Sequence, residues 1–332
     1  MFNENDIRPK ELMKLKEPAL EHDKCFLREK MSSFIYCHCP ACKSSSSKLW
    51  GEKEGFRYVK CSECNTVYMN PRAPEKILKE FYKQSKNYEF WNKYIYPQTD
   101  LVRKEKIFRP RVERLIDLCK KYNVLAGTIL EIGSGFGTFC ETLAQYNFFN
   151  RIIAVEPTPD LANTCKNKGI ETIESEIESS LPISEGSMDV IVNFEVIEHL
   201  ADPNTFVSKA SRYLKQGGLF ICTCPNGESI GAFLLKENAK FVDHEHLNYF
   251  NPTSIKKLLK GHQLEVVEIS TPGELDVDLL INYFQDHPDM LKENDFLRFM
   301  FSNINETKKS HFQSFIQQNN LSSCMWVVAR KD

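Results

Sequence analysis

The sequence predicts an α/β fold with a doubly wound, mostly parallel sheet, fronted by a small metal-binding knob. Two observations predict the sheet. From Thr128 onward, the short β-rich runs TILEI, RIIAVE, DVIVNF and GLFICTC alternate with helical segments. Three of these segments share one punctuation: a capping residue, a proline in the first turn and a glycine after the last. They are Thr158-Pro159 to Gly169, Asp202-Pro203 to Gly217, and Asn251-Pro252 to Gly261. Strands alternating with helices imply a parallel sheet covered on both faces. A third observation, cysteine spacing, predicts the knob.

The 332 residues suffice for one large domain and a smaller one. Apolar residues make up 42% and charged residues 27%, an ordinary globular mix that can bury a core. No apolar run approaches the roughly 18 residues of a membrane helix. The polar start MFNENDIRPKELMKLKEP lacks a signal core, so a cytoplasmic location is expected. In that reducing compartment, clustered cysteines point to a metal and not to disulfides. A net charge of −2 gives no global field for nucleic acid, which makes it an unlikely partner. Charge is nonetheless uneven: Arg72 to Lys121 holds 14 Lys and Arg against 7 Asp and Glu. That stretch reads either as solvated helix faces or as a basic wall facing an anionic substrate.

After an N-terminal extension (residues 1–33), residues 34–71 read as a zinc ribbon. Cys39, Cys42, Cys61 and Cys64 form C-x2-C-x18-C-x2-C, a four-thiolate zinc spacing. The residues between fit a β-hairpin, Lys48 to Trp50 against Phe56 to Val59. So small a segment cannot bury a core, and zinc supplies the missing folding energy. Four cysteines leave no open coordination position, which makes the metal structural. Cys37 and His38 stand close enough in sequence to swap in as ligands. Asn65 suits a left-handed turn after its knuckle, and Lys43 suits it less. Residues 72–123 read as a helical linker or cap, with a helix starting near Pro74 and a second from Asp100 to Tyr122, broken or kinked at Pro110. The aromatic stretch Asn87 to Pro97 either packs under the knob or lines a substrate entrance.

EIGSGFGTF, Glu131 to Phe139, follows the first strand of the sheet at the carboxyl edge where such folds bind ligands. Its glycines fall as G-x-G-x-G, with Thr138 where a dinucleotide fingerprint needs glycine. Glu131 would repel a pyrophosphate and attract an ammonium. Glu156, at the end of the next strand, can accept both ribose hydroxyls.

With these motifs the sequence resembles the class I S-adenosylmethionine (SAM)-dependent methyltransferases, from about Leu125 to Val267. EIGSGFGTF is similar to the family's first motif, VEP (Val155 to Pro157) to its ribose acid, MDVIVNFEVIEHL to its fourth-strand motif and LKQGGLF to the turn before its fifth strand. The resemblance implies a Rossmann-like sheet over residues 124–332 whose last strand is antiparallel. It implies that Gly133, Ser134, Gly135 and Gly137 wrap the methionine arm near Glu131, and that Glu156 and Pro157 meet the ribose. Asn193, Phe194, Glu195 and Val196 would pass beneath the cofactor. Adenine contact is expected within Glu174 to Glu178, at Glu176, although ESEIESSLP departs from the commoner pattern.

A four-cysteine ribbon leading into this domain resembles bacterial surface-glycan and sugar methyltransferases, including sugar C-methyltransferases. That narrower resemblance implies a small-molecule acceptor, most naturally an anionic nucleotide-activated sugar. Such an acceptor must give up a proton, so a base is needed. His199 and His246 are the candidates, and the sugar C-methyltransferase resemblance supports Glu245 beside His246 as base machinery. His244 is a third candidate, and DHEH could instead hold a metal. LEVVEIS and CMWVVAR read as the final antiparallel pair. Between them, residues 271–323 form a long insertion expected to be a helical lid. Within it, Asp276 and Asp278 either bind a sugar hydroxyl or face solvent. A methyltransferase for RNA or protein, with the ribbon as substrate reader, is the alternative function. A scaffold without chemistry is a third reading, and a nicotinamide enzyme fits the glycine spacing least.

Overall fold

The computed structural model describes residues 4–124 and 126–332. The chain opens with three helices, α1 (Glu4–Ile7), α2 (Lys10–Leu15) and α3 (Glu17–Glu29). The hairpin β1 (Ser47–Lys53) and β2 (Phe56–Cys61) follows, then β3 (Val67–Met69). Lys43 and Asn65 both take left-handed backbone, φ 61° and 60°, and close their Cys-x-x-Cys turns through bonds to the Cys39 and Cys61 carbonyls. The lysine thus accepts the conformation that asparagine favours, because the knuckle geometry demands it.

The linker is helical throughout: α4 (Glu75–Gln84), α5 (Lys86–Phe90), a π-helical turn at Trp91–Ile95, α6 (Tyr96–Arg103), a second π turn at Lys104–Phe108, and α7 (Arg109–Lys121). Pro110 sits in the first turn of α7, directly after the second π turn, where its missing N–H costs nothing. α4 buries Ile77, Leu78 and Phe81 against Phe56, Tyr58 and Met69 of the ribbon. Each such side chain contributes about 1.5–3 kcal/mol.

The main sheet has seven strands in the order β10-β11-β8-β7-β4-β5-β6. They are β4 (Thr128–Ile132), β5 (Arg151–Val155), β6 (Glu171–Ile173), β7 (Met188–Phe194), β8 (Leu214–Pro225), β10 (Leu264–Ser270) and β11 (Cys324–Lys331). Strands β6, β5, β4, β7 and β8 run parallel, and β11 runs antiparallel to both β8 and β10. Helices α8 (Thr138–Ala144), α9 (Pro159–Asn167), α10 (Pro203–Tyr213), α11 (Ile230–Leu235) and α12 (Pro252–Lys260) connect them. The order reverses direction between β4 and β7, the switch point where such sheets bind ligands. β7 is buried along its whole length, as a central strand covered on both faces must be.

Three local readings differ. The Thr158 side chain does not cap α9; its backbone N–H instead donates to Glu156. Gly217 does not close a turn after α10, because β8 already begins at Leu214 and the left-handed Gly217 lies in a bulged start of that strand. Gly261 keeps right-handed backbone, and the left-handed position falls on Gln263. Asp202 and Asn251 do cap their helices, Asn251 within a capping box.

Strand β9 (Asn248–Tyr249) joins the two parts. It belongs to the chain of the main domain but pairs with β3, so the ribbon's sheet runs β1-β2-β3-β9. Val59, Cys61, Cys64 and Tyr68 pack in one continuous core with Leu130, Ile132, Phe250 and Ile255. Between β10 and β11 stand four further helices, α13 (Asp276–Asp286), α14 (Asp289–Lys292), α15 (Asp295–Ser302) and α16 (Glu306–Gln318). Asp276 is buried there and accepts from Ser322, Ser323 and Gln313, while Asp278 pairs with Lys309 at 2.6 Å. Both acids therefore hold the insertion together, in place of the hydroxyl-binding or solvent-facing roles expected of them. No helix of the described residues is long and apolar enough to cross a membrane.

Candidate active site

The glycine turn sits at the carboxyl end of β4. Gly133, Gly135 and Gly137 all have positive φ (75°, 54° and 68°). A side chain at Gly133 would meet Val196 Cγ2 at 2.6 Å, and one at Gly137 would meet Ile170 and Cys165 below 3 Å. A side chain at Gly135 would meet nothing within 4 Å. The turn is thus packed tightly at its two ends and open in its middle, which is the shape of a cradle.

Glu156 closes that cradle. Its Oε2 accepts the Gly135 N–H at 2.8 Å and its Oε1 the Thr158 N–H at 2.9 Å. Each carboxylate oxygen keeps a second lone pair for a ligand hydroxyl. Burial raises the Glu156 pKa, and the two backbone donors oppose that rise. Glu131 is fully buried, bonded by the Cys140 thiol at 3.0 Å, and burial lifts its pKa to about 8. Near neutral pH it is largely a neutral acid until a cation arrives.

The other cofactor-side residues divide. Asn193, at the end of β7, is buried, and neither its amide oxygen nor its nitrogen has a partner among the described residues. Buried amides are rarely left so, and this one suits a polar ligand. Phe194 faces away, packed on Phe139 and Trp326 with Arg111 over its ring at 4.3 Å. Glu195 has left-handed backbone (φ 56°) and its carboxylate accepts the Thr223 hydroxyl at 2.6 Å. Val196 packs beneath Gly133. Ser134 is buried, its hydroxyl 3.6 Å from the Cys165 sulfur, and Pro157 is exposed just past Glu156. Glu176 is held by Lys79 of α4 at 2.8 Å, so the linker's first helix ties down the loop after β6.

His199 and His246 come together, ring centroids 4.6 Å apart. Sequence separation hid this meeting; β9 returns the second histidine to the end of β7. His199 Nδ1 lies 3.2 Å from the Glu245 carbonyl, and burial with the neighbouring His246 lowers its pKa to about 3. His246 Nδ1 lies 2.7 Å from the Phe241 carbonyl, which leaves Nε2 as the free nitrogen. Burial alone would depress His246, but Asp243, Glu198, the Phe241 carbonyl and Glu245 outweigh it and leave the pKa at about 9. Burial, then Asp243, raises Glu245 to about 7, and its carboxylate accepts the Asn87 amide at 2.5 Å.

Several residues escaped the sequence reading. Glu198 is completely buried with neither oxygen partnered, and burial raises its pKa well above normal. Tyr82, its hydroxyl also unpartnered, and Tyr88 stand T-shaped 5.7 Å apart and feel the Glu245 charge. Asn87 is held by Asp23 of α3, which accepts its backbone N–H at 3.0 Å. No short motif flags these residues, because they converge from three distant segments. His244 is buried between Phe56 and Phe81 on the ribbon side, with neither nitrogen hydrogen-bonded but Nδ1 3.9 Å from Glu54 and Nε2 3.8 Å from Glu245. Glu198, His199 and His246, not the run DHEH itself, are the group whose ligand atoms lie within 4.8 Å of one another.

The same proximity gathers Cys39, Cys42, Cys61 and Cys64. Cys39–Cys64 and Cys42–Cys61 sulfurs stand 3.5 Å apart, close to the ~3.8 Å edge of a tetrahedron with zinc–sulfur bonds of about 2.3 Å. Cys37 lies outside the group, its thiol beside Arg72, and His38 is exposed, so neither displaces a ligand. The four-cysteine set is compatible with zinc.

Of the two places expected for the aromatic stretch, under the knob or at a substrate entrance, its Tyr96 end lies against the glycine turn and not the knob. Tyr96 lies 4.4 Å from Phe136, the middle of the glycine turn, and Trp91 lies 5.4 Å from Tyr96.

A strand order with a glycine cradle at its switch point and an acid closing that cradle defines the class I methyltransferase fold. The sequence matches the family model for a methyltransferase domain over residues 104–269, half of the chain, and the protein belongs to that family. The C-methyltransferase NovU of Streptomyces niveus is 28% identical over 167 residues, covering 48% of this chain and 38% of that protein. A ubiquinone biosynthesis O-methyltransferase of Xanthomonas oryzae pv. oryzae is 21% identical over 170 residues, covering 47% of this chain and 70% of that protein. One from Maricaulis maris is 30% identical over 143 residues, covering 40% and 56%. The shared stretch thus spans little more than a third of NovU's length. A SAM-dependent methyltransferase structure from Clostridium acetobutylicum superposes with a TM-score of 0.48 at 14% identity, covering 73% of this chain and 98% of that one.

Replacing Glu156 with Ala is expected to weaken S-adenosylhomocysteine about 10- to 100-fold by calorimetry, because the carboxylate expected to accept the ribose hydroxyls and the anchor of Gly135 go together. Unchanged affinity would remove Glu156 from the cofactor site.

Proposed function

We propose that this protein transfers a methyl group from SAM to a small anionic acceptor, a nucleotide-activated sugar, at a carbon or oxygen that must first lose a proton. The observation that carries the reading is the convergence of Glu245, His246 and His199 just past the end of β7, the strand paired with the β4 that leads into the glycine cradle. A transfer to a nucleophile already neutral and basic needs no such cluster. A sugar hydroxyl or a carbon acid does. The C-methyltransferase among the relatives supports the carbon-acid form.

When bound, SAM supplies an electrophilic methyl group. Gly133, Ser134, Gly135 and Gly137 would wrap its methionine arm, Glu131 its ammonium and Glu156 its ribose. The chain's own work is alignment, which can be worth ~7 to 11 kcal/mol, and removal of the acceptor proton. At neutral pH, Glu245 is poised to take the proton and cationic His246 to stabilise the charge left on the acceptor. The insertion after β10 is proposed to act as a lid over the acceptor, and the four cysteines to hold a structural zinc.

Methyl-labelled SAM, incubated with purified protein and separate nucleotide-sugar, RNA and protein fractions, tests the reading. Label is expected in the small anionic pool. Label in RNA or protein would transfer the role of reader to the ribbon and refute the sugar assignment.

A further inference from the structure

The 14 cations from Arg72 to Lys121 do not form one wall. Lys79, Lys86, Lys104, Arg109, Arg114, Lys120 and Lys121 are each paired with a carboxylate. Lys76, Lys83, Lys93 and Lys106 are exposed. Arg72, Arg103 and Arg111 fall in neither group, each with its guanidinium over an aromatic ring, and Arg103 is the one that shares its ring with a second cation. It is partly buried, and its Nε and Nη2 donate only to neutral oxygens, Thr99 Oγ1 at 2.9 Å and the Ile7 carbonyl at 2.7 Å. Its guanidinium lies 5.4 Å from the Trp91 ring and 5.0 Å from Tyr96. A second cation meets the same indole from the N-terminal extension: Lys16 Nζ is 5.5 Å from Trp91. Neither Lys16 nor Arg103 forms an ion pair among the described residues.

Their position gives these cations a use. Tyr96 rests on Phe136 of the glycine turn, so the aromatic floor beneath Arg103 continues into the cofactor cradle. Lys16 feels Glu245 and Asp243 of the catalytic loop most among nearby acids. Burial, with Arg8 nearby, lowers its pKa, and burial lowers that of Arg103 as well. Two desolvated cations that form no ion pair among the described residues, on one aromatic floor between cradle and base, make a site that an anion would stabilise.

We propose that Lys16 and Arg103 form a phosphate subsite that holds the phosphorylated end of the acceptor over Trp91 and Tyr96, with its reacting atom toward Glu245 and His246. The inference rests on the methyl-transfer reading and adds to it where the acceptor is gripped. The gripping residues come from the N-terminal extension and the linker, outside the Rossmann-like sheet.

Calorimetry on the full chain saturated with S-adenosylhomocysteine tests it, with inorganic pyrophosphate and UDP as probes. Both are expected to bind, and Lys16→Ala or Arg103→Ala should weaken each about tenfold or more. Lys16→Arg and Arg103→Lys should retain most of the affinity, and exposed Lys93→Ala all of it. S-adenosylhomocysteine affinity should stay within about twofold in every variant, which also reports that each variant is folded. UDP binding more tightly than pyrophosphate would assign the aromatic floor to the base; equal affinity would confine recognition to phosphate. Either supports the subsite. Wild-type protein that binds S-adenosylhomocysteine but neither probe, or alanine variants that bind the probes as well as wild type, would overturn the subsite and leave methyl transfer standing. Failure to bind S-adenosylhomocysteine would overturn the methyl-transfer reading itself.

Discussion

Cys61→Ser is expected to lower the methyl-transfer rate by at least about 100-fold while S-adenosylhomocysteine affinity falls by less than about tenfold. The cause is the route by which the ribbon reaches the loop that carries Glu245 and His246. Strand β3 pairs with β9, directly after His246. Tyr58 of β2 donates to the Asp243 carbonyl at 2.7 Å, and Lys53 of β1 to the Val242 carbonyl at 2.6 Å. Met69 N–H donates to the Leu247 carbonyl, and Asn251, which caps α12, donates to the Cys64 carbonyl within the second knuckle. If the four cysteines hold the proposed structural zinc, loss of one thiolate loosens the ribbon and with it every one of these anchors. The glycine cradle and Glu156 hang from β4 and β5 at a distance from them. Zinc content, cofactor affinity and rate are measured on the same sample. Parallel loss of rate and cofactor binding would show that the ribbon supports the whole domain, as their shared core permits. Unchanged rate with zinc lost would refute the coupling. Lys53→Ala, which spares the cysteines, should keep its zinc and lose about tenfold in rate, since loosening a base by an ångström is enough to cost that much.

What was legible in the sequence was whatever depends on local rules. Six of the seven strands of the sheet follow from hydrophobic runs, and the cysteine cluster and glycine turn follow from spacing. β6 was not legible because three residues on an outer edge carry too little pattern. The candidate site was half legible: His199, Glu245 and His246 stood out as residue types, but Glu198, Asn87 and Tyr82 gain meaning only through burial without partners or across a tertiary contact. The expected base also changed character. Sequence suggests an imidazole that takes a proton, whereas three surrounding acids make His246 a cation near neutral pH. The linker misled for a related reason. Its charge count suggested a wall, but ion pairing consumes half of it, and Arg103 is held on an aromatic ring instead.

That change of character gives the last expectation. The rate kcat/KM should be bell-shaped in pH, with limbs near 7 and 9. Glu245 has a raised pKa, so below about 7 it is protonated and cannot accept a proton; activity falls toward acid. His246 also has a raised pKa, so its charge persists until about 9 and is lost above it; activity falls toward alkali. The two groups interact, so the limbs belong to the pair. His199, near 3, stays neutral throughout and contributes neither limb. Glu245→Gln should abolish the acid limb and lower the rate by about 10²- to 10⁴-fold, the usual worth of a positioned base. His246→Ala should remove the alkaline limb, because no cation remains to be neutralised, and the pKa of Glu245 should then rise as its attractive partner is lost. A profile that instead climbs to a plateau above pH 9, and that Glu245→Gln leaves intact, would make neutral His246 the base and Glu245 the residue that orients it.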